Sequence, residues 1–337
     1  MLRVIRKPVK NDIYQVQGWI EHLVCEVWCK ADSQRCVNKL DTNFRKIYDK
    51  YKWLKISIND IYKECKSLSL TEKQLISNAF VANNRIEELC NGSQIPVYLT
   101  SLPALVENKM KPLFIAMYEV LLERKSVPGT KMNYYKAIQE ENSFANCPCC
   151  GYMPFENVFS TAREDLDHFF PKATYPFSSI NFNNLSPLCN KCNSDFKGDT
   201  DPIENNLQSF YTYQTNETSI KIDVSLDSEF INYAQRVLVS DSKEKVGNNI
   251  IKISLTGKEQ GKIDRWDELY NIKNRYKDRV ETFTYIVLRR LKTKANRLKT
   301  GYDFAINFDI EECSSDIYLH EHFIQIPFLE SLRPLLV

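Results

Sequence analysis

The chain has 337 residues, 45 of them Lys or Arg against 43 Asp or Glu, and 43% are apolar. That length allows two or three domains and a sizeable core, and with no run of 18 apolar residues no membrane span is expected. Eleven cysteines, an odd number scattered outside one central stretch, speak against a disulfide scaffold and for a reducing compartment.

The opening segment, MLRVIRKPVK, is basic and leads into polar residues rather than an apolar signal core, so the product is expected to stay in the cytoplasm. Residues 1–11 read as an edge strand or a basic arm. Over 12–33 the apolar residues Ile13, Val16, Ile20, Leu23, Val24 and Val27 recur at helical spacing. Cys25 and Cys29 share a face of that helix, but without a pair of tight turns they read as buried thiols. Further helices are expected over 38–66, 70–90 and about 104–125. Residues 1–140 therefore read as one helical domain. They carry 22 Lys/Arg against 15 Asp/Glu, which makes this region the better source of phosphate contacts.

The chemistry is concentrated in Cys147–Gly198, CPCCGYMPFENVFSTAREDLDHFFPKATYPFSSINFNNLSPLCNKCNSDFKG. Cys147 and Cys150 form one Cys-x-x-C pair, and Cys189 and Cys192 form a second. Two such turns present four soft ligands in a tetrahedron, which suits Zn2+ in a closed, structural role. Cys149 reads as a bystander. Between the pairs lie Asp165, the adjacent Asp167 and His168, and the Asn183-Asn184-Leu185 run. Neighbours on a strand point to opposite faces, but at a strand end an acid and an imidazole can both reach one cleft. Asn193 follows Cys192 on an expected helix from about 187 to 197, ending at Gly198. The stretch holds 4 Lys/Arg against 5 Asp/Glu, so it cannot attract DNA by its own bulk charge.

These elements, CPCC, DHFFP, NNL and CNKCNSDFKG in that order, resemble the HNH (ββα-metal) endonuclease family in its form with a four-cysteine zinc site. The wording more narrowly resembles HNH nucleases of prokaryotic anti-phage defence operons that are paired with an ATPase. The resemblance implies that His168 is the general base and that Asp167 and Asn193 hold a catalytic Mg2+ or Mn2+. It implies that Asn184 holds the His168 loop. Lys197 would contact a phosphate or cap its helix. This chain has one more residue between Asn193 and Lys197 than the family pattern. The implied products carry 5′ phosphate and 3′ hydroxyl ends.

Residues 201–337 read as a mixed α/β domain, following a module over 141–200. Strands are expected at Ser219–Leu226 and Ile250–Leu255, with a helix near 228–239 between them and a long helix over about 263–297. The long helix ends in Arg289, Arg290, Lys292, Lys294, Arg297 and Lys299, read as phosphate contacts or as solvated surface. Phe304, Ile306 and Phe308 suggest another strand, and Ile317 and Leu319 a further one. The expected fold class is thus α+β: a small zinc-bound ββα-metal module between a helical N-terminal region and a mixed α/β C-terminal region. The expected function is a metal-dependent DNA endonuclease acting as an anti-phage effector, with DNA and a protein partner, such as an ATPase, as its ligands. The alternative is a non-catalytic, zinc-stabilised nucleic-acid-binding or assembly subunit. No Gly-x-x-x-x-Gly-Lys-Ser/Thr motif is present, so ATP dependence would come from the partner.

Overall fold

In a computed structural model of the chain the described residues are 2–156, 159–160, 163–240, 246–247 and 250–336. They fall into two compact units, Val4–Ala145 with Pro154–Glu217, and Met1–Arg3 with Asn146–Met153 and Thr218–Val337. The N-terminal part of the chain is helical and the C-terminal part mixed α/β.

In the first unit the helices are α1 (Tyr14–His22), α2 (Thr42–Lys50), α3 (Lys52–Cys65), α4 (Leu70–Asn83), α5 (Ile86–Asn91), α6 (Lys111–Glu119) and α7 (Lys131–Asn142). Local chemistry sets several of their ends. Asp41 caps α2 by accepting from the amides of Asn43 and Phe44 at 2.8 and 3.0 Å. Ser69 and Glu72 form a reciprocal capping box on α4. Gly92 closes α5 in the left-handed region at φ 79°, where a side chain would be strained. After α1 the chain continues through a wider helical turn, Leu23–Trp28, that buries Val24, Val27 and Trp28. These side chains join Phe44, Phe114, Met117 and Tyr134 in one apolar core. Cys29, Cys36 and Cys65 belong to this unit, and burial pushes each thiol up to about 12.

On that core lies a short antiparallel hairpin of β1 (Leu166–His168) and β2 (Leu185–Pro187), paired Leu166 to Pro187, Asp167 to Ser186 and His168 to Leu185. All six residues are buried. The Tyr118 hydroxyl of α6 donates to Leu166 O and the Tyr134 hydroxyl of α7 to Phe182 O, both at 3.0 Å. A seven-residue helix, Lys191–Lys197, follows β2.

The second unit holds the antiparallel pair β3 (Ile220–Leu226) and β4 (Ile251–Gly257), with α8 (Glu229–Ser240) between them in sequence. Gly257 is required: a Cβ there would meet Ser219 O at 2.2 Å. The long helix expected over about 263–297 is α10 (Ile272–Leu298), preceded by a separate α9 (Gln260–Tyr270). Asn271 divides them by adopting φ 51°, ψ 44°, a conformation Asn tolerates better than most residues, and Asp267 caps the new start through Lys273 N at 2.7 Å. The strand expected at Phe304–Phe308 is instead part of helix α11 (Tyr302–Ser314). Its buried residues Ala305, Ile306, Asp309 and Cys313 follow helical spacing, while Phe304 and Phe308 are exposed. No strand forms at Ile317–Leu319 among the described residues; a turn there leads to a short 3-10 helix, Leu319–Glu321, and then to α12 (His322–Leu336). The C-terminal segment docks, since α12 buries Phe323, Ile324, Phe328, Leu329 and Leu332 and packs on β3 and α11. Two cations at the end of α10 turn inward onto α11. Arg290 meets Asp309 at 2.7 Å, and Lys294 meets both Asp309 and Glu312. No helix among the described residues is long and apolar enough to cross a membrane.

Candidate metal centre and carboxylate–imidazole cleft

Each Cys-x-x-C turn is built by its own backbone. Cys147 O accepts from Gly151 N at 2.8 Å and Cys147 N donates to Met153 O at 2.7 Å, with Gly151 at φ 79° completing the curl. Cys189 O accepts from Asn193 N at 2.9 Å. The Sγ atoms of Cys147, Cys150, Cys189 and Cys192 all lie within 4.8 Å of one another, and all four residues are buried. Tetrahedral Zn–S bonds of about 2.3 Å set sulfur atoms roughly 3.8 Å apart, so this spacing fits one ion. The cluster can hold a structural metal, and four thiolates favour zinc. Cys149 is buried but stands outside the group. His320 and His322 are in no such group among the described residues.

Asp167 and His168 end β1, and both line a cleft of about 490 Å³ in the first unit. Asn193 and Ser194 line it from the Lys191–Lys197 helix, and Tyr118, Lys131, Lys172 and the exposed Asp165 complete much of the wall. The His168 Nε2 lies 3.0 Å from Ser179 O. A carbonyl only accepts, so Nε2 carries the hydrogen and Nδ1 keeps its lone pair. The Tyr118 ring meets the imidazole edge-on at 4.2 Å. Burial pushes the His168 imidazole down to about 3, against the bond to Ser179 O and with help from Lys172, Lys197 and Lys131. Between the ordinary histidine value of about 6.5 and that lower one, the unfolded chain takes up a proton the folded chain refuses. This imidazole's contribution to stability is therefore full above about pH 6.5 and is lost as pH falls toward 3. Proton–nitrogen correlation spectra should show His168 still neutral at pH 5; a midpoint near 6.5 would refute the burial argument.

Asn184 does not line the cleft. Its side-chain oxygen accepts from Phe170 N at 2.7 Å, and its Nδ2 donates to Phe170 O at 3.0 Å and Ser178 O at 3.2 Å. It ties the 168–184 loop to itself through backbone groups and makes no bond to the imidazole. Lys197 is buried and does not face outward toward phosphate; one of its bonds, to Gly198 O at 3.3 Å, reaches the end of its own helix. Its Nζ donates to Asp167 Oδ1 at 3.0 Å and His168 O at 2.8 Å. The additional residue between Asn193 and Lys197 is taken up by a wide turn, in which Gly198 N reaches back five residues to Asn193 O at 2.8 Å.

The other carboxylate oxygen, Asp167 Oδ2, is buried without a hydrogen-bond partner. Burial holds this carboxyl above its ordinary range, and the Lys197 ammonium pulls it down. The half-buried Asn193 lines the same cleft as Asp167. Sequence reasoning missed the cleft's two cations from outside the strand pair. Lys131 is held by Glu123 at 3.0 Å and Lys172 by Glu119 at 2.6 Å. Lys172 stood in plain view four residues after His168, whereas nothing near Lys131 in sequence pointed to it. No family description, curated protein or solved structure matches the chain.

Proposed function

We propose that the chain is a zinc-stabilised endonuclease of HNH type that hydrolyses nucleic-acid phosphodiesters, with DNA as substrate. The reading is supported above all by one observation: Asp167, His168 and Asn193 line one cleft. The order of two antiparallel strands and a helix also agrees with a ββα-metal module. His168, neutral at working pH, is the candidate acceptor through Nδ1 for the proton of an attacking water, although the burial that holds it at about 3 makes it a weak base. Ser179 O fixes the imidazole's tautomer and direction, and Asn184 fixes the loop that carries that carbonyl. Asp167 and Asn193 would hold Mg2+ or Mn2+, which when bound neutralises charge on the phosphate and the departing 3′ oxygen. An anti-phage setting and an ATPase partner follow from the sequence resemblance alone.

A second reading is a zinc-stabilised nucleic-acid-binding or assembly subunit without hydrolysis. The four-cysteine cluster speaks for it directly, because such a cluster needs no hydrolytic centre. The Lys197 ammonium also speaks for it, since it already balances the Asp167 charge that a cation would need. Plasmid nicking with added Mg2+ or Mn2+ separates the two. On the first reading His168→Ala loses on the order of 10²–10⁴-fold in rate while keeping its zinc and its fold. Equal nicking by both proteins removes His168 from the mechanism. A zinc-loaded chain that leaves every nucleic acid intact, with its partner present, selects the second reading.

A further inference from the structure

A second cleft, of about 480 Å³, lies in the helical part of the first unit between the loop at 33–38 and helices α2 and α3. Its wall carries five exposed cations, Arg35, Arg45, Lys55, Lys63 and Lys66, and one acid, Asp49. Asp49 engages Lys55 at 2.9 Å and Arg45 at 3.8 Å. Arg35, Lys63 and Lys66 form no salt bridge among the described residues. Nearby acids are already engaged: Asp32 by Lys39 at 2.7 Å, and Asp60 and Glu64 by Lys109. Three of the five cations in this concave wall thus have no ion-pair partner among the described residues.

We infer that this cleft binds the phosphate backbone of a nucleic acid. The aromatic residues in the wall decide what it reads. Tyr48 and Tyr62 are buried, at 2% and 3% exposure, so their ring faces are not open to bases. Lys55 covers the Tyr48 ring at 5.0 Å and Lys66 the Tyr62 ring at 5.1 Å. Both hydroxyls are also engaged, Tyr48 by Asn59 and Tyr62 by Asp32 and Gln34 O. A stacking platform needs exposed ring faces, and base readout needs free hydrogen-bonding groups at a groove floor. Five cations outnumber the exposed Ser33, Gln34 and Asn38 in this wall, so contact is chiefly to phosphate and independent of sequence. The inference does not rest on hydrolysis at Asp167 and His168.

The test is fluorescence anisotropy with labelled DNA duplexes and single strands, without added Mg2+ or Mn2+, so that cleavage does not intervene. Arg35→Gln/Lys63→Gln/Lys66→Gln changes only exposed side chains and should keep zinc content and melting temperature. Its affinity is expected to fall about 10-fold or more, and its log K against log salt slope to shrink by roughly 2–3 between about 50 and 200 mM salt. The loss should be equal for oligonucleotides of unrelated sequence. Unchanged affinity and slope would overturn the inference, and so would a loss confined to one sequence. Release of bound poly-glutamate from the wild-type cleft with no measurable DNA binding would overturn it in favour of an acidic protein partner.

Discussion

Replacing Cys192 with Ser is expected to strip the metal from the chain and lower its melting temperature by on the order of 10 °C. The four sulfur atoms sit within 4.8 Å of one another, and their residues are at most 5% exposed. Four thiolates at that spacing repel unless a cation neutralises them, and four thiols fill the space with only weak hydrogen bonds. An ion held there would therefore supply stability that no apolar packing replaces. Structural zinc sites in small peptides contribute about 10–16 kcal/mol, comparable with the ~5–15 kcal/mol that holds a typical domain together. Loss of one ligand leaves three, so a fraction of that stabilisation disappears, enough for the expected shift. Elemental analysis should find one zinc per wild-type chain and almost none in Cys192→Ser. Cys149→Ser supplies the control, because Cys149 is as buried as its neighbours yet lies outside the group. Full metal content in Cys192→Ser, or equal loss in Cys149→Ser, would show that the cluster is assigned to the wrong sulfur atoms.

The parts of this protein that were legible in its sequence are those whose cause is local. A Cys-x-x-C turn closes on itself, so spacing alone pointed to Cys147, Cys150, Cys189 and Cys192. Helical periodicity likewise located α3, α4 and α6, because burial of one face leaves its mark every three or four residues. The failures share a different cause. Phe304, Ile306 and Phe308 alternate like a strand, yet Ala305 and Ile306 face the core with Asp309 and Cys313 one turn and two turns on. A short apolar run fits either period, and only the neighbouring helices decide. The α10 end read as a basic patch because Asp309 and Glu312, which neutralise Arg290 and Lys294, lie on another element. At the cleft, adjacency suggested that Asp167 and His168 could share a cavity, but nothing in sequence tied Asp167 to Lys197, thirty residues away.

That pairing supports the second large effect. Lys197→Met is expected to destabilise the protein by ~3–5 kcal/mol at neutral pH, and Asp167→Asn with Lys197→Met together by much less. Both side chains are almost fully buried, at 1% and 2% exposure, and the ammonium lies 3.0 Å from the carboxylate. Removing the ammonium leaves a carboxylate with one oxygen already lacking a partner and the other now losing its own. Removing both charges leaves little to desolvate. The sign of the pH dependence follows from the same picture. Burial already raises the Asp167 carboxyl, and without Lys197 it rises further above the unfolded value of about 3.9. Between those two values the folded state binds the extra proton, so the penalty of Lys197→Met should shrink as pH falls toward that lower value. Urea titrations of wild type, both single variants and the double variant at pH 7 and pH 5 would measure it. A single-variant loss under about 1 kcal/mol would mean that water reaches the pair and that the buried-charge argument fails. A loss that does not shrink at pH 5 would mean that Asp167 is not the group left uncompensated.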